Sequence, residues 1–212
     1  MAFRFNFTSE DLDPEAPGTE QLSPATHALP ALFCLAHTTR STVHFQDYNS
    51  EVIRLVTIPN LLINTAYHDQ TQSQLPSSAE AELEIDTQSD LLQQDPVAHL
   101  GPLAQRCRFF AGDWAHLASN LNIPSEAYKY DLILTSETIY AHASQAKLYA
   151  LIRSILKRSG MALIAAKSMY FGLDGNVLSF AQLVESRGEM TLTTLYRFGA
   201  QVQREILKLT FK

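Results

Sequence analysis

Hydrophobic positions along the chain fall into short blocks whose period switches between two residues and about 3.6. MAFRFNFT alternates Phe3, Phe5 and Phe7 with polar residues, the pattern of a short strand. ALPALFCLAHTTR (28–40) lacks alternation and carries helix-tolerant residues after Pro30, so it predicts a short helix. TVHFQD (42–47) predicts a strand. NSEVIRLVTIPNLLINTA then sets Val52, Ile53, Val56, Leu61 and Leu62 near a helical period that Pro59 interrupts, which predicts a kinked or broken helix. Further strands are expected at 106–110, 130–135 and 161–166, with a helix at 142–158 between the last two. A helix at 177–187 and two strands around TLTTLYRF and VQREILKLTF follow. All nine prolines lie at or before Pro124, so the later elements can run uninterrupted.

Alternating strands and helices followed by two adjacent strands describe an α/β fold. The sheet should be mainly parallel with an antiparallel hairpin at one edge, the Rossmann-like methyltransferase arrangement. Two polar tracts fall outside this pattern. TSEDLDPEAPGTEQLSPATH is rich in acids, Pro, Ser and Thr, and residues 69–106 are rich in Gln, Ser, Asp, Glu and Pro. The expected organisation is a disordered tail over 1–27 and one methyltransferase-like domain over 28–212 with a mobile insertion at 69–106.

Composition narrows the function. The net charge of −6 and scattered basic residues argue against direct nucleic-acid binding. The longest apolar run, ALPALFCLA, is too short to span a bilayer, so a soluble protein of the cytoplasm, or also the nucleus, is expected. Two cysteines, Cys34 and Cys107, suit reduced thiols buried as small hydrophobes. The seven histidines form no HxH or HExxH grouping, and neither G-x-S-x-G nor a P-loop occurs, which argues against a metal site, a hydrolase or an NTPase.

In a parallel sheet, ligands sit beyond the carboxyl ends of the strands. Gln46, Asp47 and Tyr48 follow one strand, Gly112, Asp113 and Trp114 the next, and Ser136 and Glu137 the third. A carboxylate accepts two hydrogen bonds side by side, so Asp47 suits a ribose diol. Trp114 or Tyr48 offers a flat face to a purine, and Gly112 permits close backbone approach. Against this stands the plainer reading that Asp47 and Asp113 cap the helices that follow. Glu137 and Tyr140 form an acid-x-x-Tyr pattern able to orient an incoming nucleophile, or else a cap beside a packed tyrosine. Lys167, Tyr170, Phe171 and Gly172 could line the opposite wall, or form a buried aromatic turn.

VHFQDYNSEVI, the TIPN after it, CRFFAGDW, YDLILTSETIY, AKSMYFG and the closing EILKLTFK resemble the histidine protein methyltransferase family, as does the opening MAFRFNFTSED. The resemblance covers residues 1–11 and 42–212 apart from the insertion. It implies a seven-strand methyltransferase fold, S-adenosylmethionine as methyl donor and a histidine of a large-subunit ribosomal protein as acceptor. It also implies that Gln46, Asp47 and Tyr48 hold the ribose, that Gly112, Asp113 and Trp114 frame the adenine, and that Ser136 lies near the methionine end. From the acid-x-x-Tyr spacing, Glu137 or Tyr140 is then expected to orient the acceptor imidazole.

One departure is plain. The family carries an Asp-x-Gly-x-Gly-x-Gly turn after its first strand, and no G-x-G occurs in this chain. The first, central strand is therefore expected to be missing, as in a shortened product. ALFCLAH would then substitute in the slot, or the flanking strands would close up or part. A non-catalytic binding module is thus a second reading, and a protein-lysine methyltransferase, which shares the acid-x-x-Tyr position, a third.

Overall fold

The computed structural model describes residues 2–5, 35, 41–61, 105–199 and 203–212. Its strands are β1 (Ala2–Phe5), β2 (Val43–Asp47), β3 (Cys107–Ala111), β4 (Tyr130–Ser136), β5 (Leu156–Lys167), β6 (Met190–Phe198) and β7 (Arg204–Phe211). They form a seven-stranded sheet in the order β3-β2-β1-β4-β5-β7-β6. The five strands from β3 to β5 are parallel, and β7 runs antiparallel to both β5 and β6. The mainly parallel sheet with a carboxyl-terminal antiparallel hairpin is thereby observed.

The central slot is where expectation and structure part. It is filled, and by Ala2–Phe5 rather than ALFCLAH. Ala2 and Phe3 pair with His44 and Phe45, while Ala2 to Phe5 pair with Ile133 to Ser136. The segment assigned to a tail over 1–27 therefore contributes a central strand at its start, realising the alternation of MAFRFNFT. The remainder of that tail lies outside the described residues, as do ALFCLAH apart from Leu35 and the insertion at 69–106 apart from Gln105 and Arg106. Leu35 is helical and buried, and Arg106 donates to the carbonyls of Leu35 (3.2 Å) and Ser41 (3.1 Å). That side chain ties the approach to β2 onto the start of β3.

Helix α1 begins at Ser50–Val52, passes through a π-helical turn at Ile53–Thr57 and continues to residue 61. The kink expected at Pro59 takes this form. Pro59 has no N–H to offer the carbonyl one turn back, and the wider turn before it lets the Ile58 N–H reach Ile53 O instead. Helix α2 is Trp114–Asn120, α3 is His142–Ile155 and α4 is Val177–Arg187. In α3 the buried residues Gln145, Leu148, Tyr149, Leu151, Ile152 and Ile155 follow three- and four-residue steps, one face of a helix. That face joins Ile164, Phe180, Leu207 and Leu209 in the main core.

Helix α3 stops three residues short of the expected 158, because β5 begins at once with Leu156 paired to Tyr130. A register shift follows between Tyr130 and Leu132. Gly160 lies against it. A Cβ there would stand 2.9 Å from the carbonyl oxygens of both Tyr130 and Asp131, so no larger residue fits without movement.

Candidate active site

Strand order reverses direction between β1 and β4, and in open α/β sheets the crevice for a ligand opens at that point. Register fixes which residues stand there. Phe5, the last residue of β1, pairs with Ser136, and Phe3 pairs with Phe45, two residues before Asp47. Asp47 and Ser136 therefore share the carboxyl edge, two strand spacings or about 10 Å apart.

On the β2 and β3 side, Gln46 is the organising residue. Its amide donates to Gly112 O (2.8 Å), and its carbonyl accepts from the Trp114 indole N–H (2.9 Å). Backbone adds Gly112 N–H to Asp47 O (3.0 Å). Trp114 is only 8% exposed and belongs to the core, so its indole braces the β3 end. Gly112 has φ +119, and among the described residues nothing lies within 4 Å of where a Cβ would be. Open space therefore borders its backbone.

The two acids differ. Asp113 is the N-cap of α2, accepting from Ala115 N–H (2.8 Å), and pairs with Lys147 (2.7 Å). The Ala115 N–H and then the Lys147 ammonium hold its carboxyl below the usual range. The capping reading holds for Asp113. It does not hold for Asp47, since Asn49 caps α1. The Asp47 carboxylate is 4% exposed and accepts from Asn49 N–H (2.8 Å), which turns the chain into the helix. Tyr48, beside it, is 66% exposed.

The second half of the site follows β4. Glu137 adopts φ +52, a left-handed conformation that a non-glycine residue adopts only when held, and such strain clusters at functional sites. What holds it is the Glu137 N–H on Ala165 O (2.9 Å) and, next to it, a buried hydroxyl pair between Thr135 and Thr138 (2.9 Å). The turn after β5 meets it. The Tyr170 hydroxyl accepts from Lys167 N–H (3.2 Å), and the Glu137 carboxylate stands near enough to act on it electrostatically. Burial first, then the Glu137 charge, pushes the Tyr170 phenol well above its ordinary range. Tyr140 meets the Tyr170 ring edge-on at 6.1 Å, and the Lys167 ammonium stands 5.9 Å from that ring. The structure thus brings Glu137 and Tyr140 together with Lys167 and Tyr170, the residues suggested for the opposite wall. Phe171, on the same turn, is 87% exposed.

Two supporting residues were not singled out from the sequence. Gln145 is buried, and its side-chain nitrogen, with two hydrogens to give, lies within hydrogen-bond distance of Ile139 O (2.8 Å), Asn176 O (3.0 Å) and Ser179 Oγ (2.8 Å), joining the Glu137 loop to the start of α4. Glu205 is buried and accepts from Ser168 (2.8 Å), Thr194 (3.2 Å) and Arg197 (3.0 Å). Burial alone would raise its pKa, but these three donors outweigh it and lower it. A signal existed for both. Glu205 is in phase with Leu207 and Leu209, and Gln145 with Leu148 and Ile152, so each is a polar residue in an apolar row.

No protein-family model matches the chain. It is 34% identical over 170 residues to the "Histidine protein methyltransferase 1 homolog" of Mus musculus, covering 80% of this chain and 43% of that protein. It is 30% identical over 188 residues to the protein of the same name in Dictyostelium discoideum, covering 88% and 47%. The chain therefore spans about half the length of these curated relatives. A TehB-like SAM-dependent methyltransferase from Corynebacterium glutamicum superposes with a TM-score of 0.42 at 16% identity, covering 81% of this chain and 68% of that one.

Proposed function

The chain is a relative of the histidine protein methyltransferases, and from that kinship we propose that it binds S-adenosylmethionine and methylates a histidine of a large-subunit ribosomal protein. The observation that carries the reading is the 34% identity extending over 80% of the chain.

The residues at the strand ends fit the cofactor. A buried carboxylate one strand from the switch point, Asp47, suits a ribose diol, and the open space beside Gly112 admits a ligand against its backbone. The exposed Tyr48 offers a ring face to the adenine, while Gln46 and Trp114, with Asp113 capping α2, keep these strand ends in register. Ser136 stands nearest the switch point, toward the methionine end. S-adenosylmethionine, when bound, supplies an electrophilic methyl group. The chain's own task is alignment: a neutral imidazole needs its N–H engaged so that the other nitrogen presents a lone pair. Glu137 and Tyr140 are the groups for that. Met169, Phe171 and Leu173, exposed beside them, supply apolar surface of the kind that contacts a protein.

The test is a thermal-shift titration with S-adenosylmethionine, followed by mass spectrometry of large-subunit ribosomal proteins incubated with the chain. A competent pocket raises the midpoint with cofactor concentration, by about 2.7 kcal/mol of stability at a hundred times Kd. Absence of a shift at millimolar cofactor overturns the cofactor assignment, and a methyl group on lysine overturns the acceptor.

One observation favours a second reading. Phe5 is followed by Asn6, Phe7, Thr8 and Ser9, with no glycine before Gly18, so the backbone-cradling turn of the family is absent from the sequence after β1. A non-catalytic binding module would retain affinity for ribosomal protein with no cofactor shift.

A further inference from the structure

We infer that Gln145 is the positioning residue for Tyr140, fixing where its phenol meets the acceptor imidazole. The inference rests on the methyltransferase reading above and deepens it. Tyr140 leads directly into α3, and its ring stands edge-on to that of Tyr170 at 6.1 Å. Its hydroxyl makes no hydrogen bond among the described residues. The phenol oxygen can therefore accept an imidazole N–H, which leaves the other ring nitrogen with its lone pair outward. What such a phenol needs is a fixed backbone.

Gln145 supplies it. The side chain is 2% exposed. Of the three neighbours of its Nε2, two are carbonyls that can only accept: Ile139 O (2.8 Å), immediately before Tyr140, and Asn176 O (3.0 Å), immediately after Gly175. They take its two hydrogens. The Ser179 hydroxyl accepts from Asn176 N–H (3.0 Å) and turns its own proton to Gln145 Oε1 (3.2 Å). One amide thus ties both sides of a backbone contact. At that contact Gly175 N–H donates to Tyr140 O (2.9 Å), and a Cβ on Gly175 would stand 2.5 Å from Ile139 O and Ala141 N. Helix α3 has no side-chain cap of its own at Ala141, so Asp174 accepts from His142 N–H (3.1 Å) across the same contact. Leucine has no polar atoms and an ionised glutamate no donors, so neither reproduces the amide.

Two readouts on the full chain decide the matter. The first is amide hydrogen exchange by NMR, scored as the rate at Gly175 relative to the paired amides of β5 and β7. Gln145→Leu should raise that ratio by about tenfold or more, because the Gly175–Tyr140 bond opens locally while the sheet keeps its protection. Gln145→Glu, which keeps an acceptor for Ser179 but loses both donors, serves for the same comparison if Gln145→Leu does not fold. An unchanged ratio overturns the clamp, whether or not the chain is active. Kinetics with S-adenosylmethionine and isolated large-subunit ribosomal proteins give the second readout. The same variant should lower kcat by about tenfold or more with the cofactor KM within about twofold. Tyr140→Phe should lower kcat too, and the double variant should fall no further than the weaker of the two single variants, because Gln145 acts through that phenol. An unchanged kcat, or losses that multiply in the double variant, overturns the positioning role. If the parent chain transfers no methyl group, the functional reading and the role that rests on it fall together, while the exchange ratio still decides the clamp.

Discussion

Glu137 and Asn122 are the two non-glycine residues with positive φ among the described residues, and only Glu137 stands at a strand end beside the switch point. Its neighbour Gly175 shows how closely the loop is fitted. A Cβ on Gly175 would meet Ala141 N and Ile139 O at 2.5 Å, both backbone atoms that cannot rotate aside. Gly175→Ala should therefore destabilise the protein by about 1–3 kcal/mol and displace Tyr140. Urea unfolding followed by the fluorescence of Trp114, the sole tryptophan, would measure it. An unchanged midpoint would mean that the turn is not clamped. At this scale the sequence named the right residue types at strand ends but not their duties. Asp47 and Asp113 look alike in sequence, yet one is buried at the end of β2 and the other is a partly exposed cap.

At the scale of elements, β2 and β4 lie on either side of β1, and their side chains meet at the amino-terminal end of the sheet. His44 Nδ1 and the Tyr130 hydroxyl are hydrogen-bonded, and the rings stand edge to face at 5.4 Å. Burial is the chief reason that the His44 pKa falls to about 4, and nearby positive charge, Arg108 included, acts in the same direction. In the unfolded chain this histidine titrates near 6.5. Between the two values the unfolded state binds more protons, so the stability due to a neutral His44 is complete above pH 6.5 and is lost as pH falls toward 4. The midpoint of thermal unfolding should decline from pH 7 to pH 5 more steeply in the parent than in His44→Phe. Parallel slopes would remove His44 as the cause. The elements themselves were largely legible, because periods of two and 3.6 residues survive in β2, β4, α3, α4, β6 and β7. Helix α2 was legible only as the helix that Asp113 would cap, because seven residues give a periodicity too little length to show.

For the molecule as a whole, β1 is the joint. β2 pairs only with β1 and β3 among the described strands, so Ala2–Phe5 alone connects the β2 and β3 half of the sheet to the β4–β7 half by backbone hydrogen bonds. Deleting residues 1–5 should uncouple them. Circular dichroism and limited proteolysis would then show β2 and β3 cleaved at temperatures where β4 to β7 remain protected. A single cooperative transition at the parent midpoint would show that side-chain packing suffices. The candidate site spans the same joint, with Asp47 on one side and Glu137 on the other, so the deletion should also abolish any shift with S-adenosylmethionine.

The sequence by itself determined the α/β class, the carboxyl-terminal hairpin and the polar residues at the strand ends, because these depend on local periodicity and on where strands stop. Its similarity to the histidine protein methyltransferases was also legible, as ordered strings such as YDLILTSETIY. Only the tertiary structure decided what fills the centre of the sheet. A four-residue strand has too little pattern to declare its partners, and its pairing with β2 and β4 joins residues about forty and a hundred and thirty positions away. The conformation of the Glu137 turn was hidden for the same reason. The left-handed turn at Glu137 is held by its N–H on Ala165 O, a bond that exists only once β4 and β5 lie side by side.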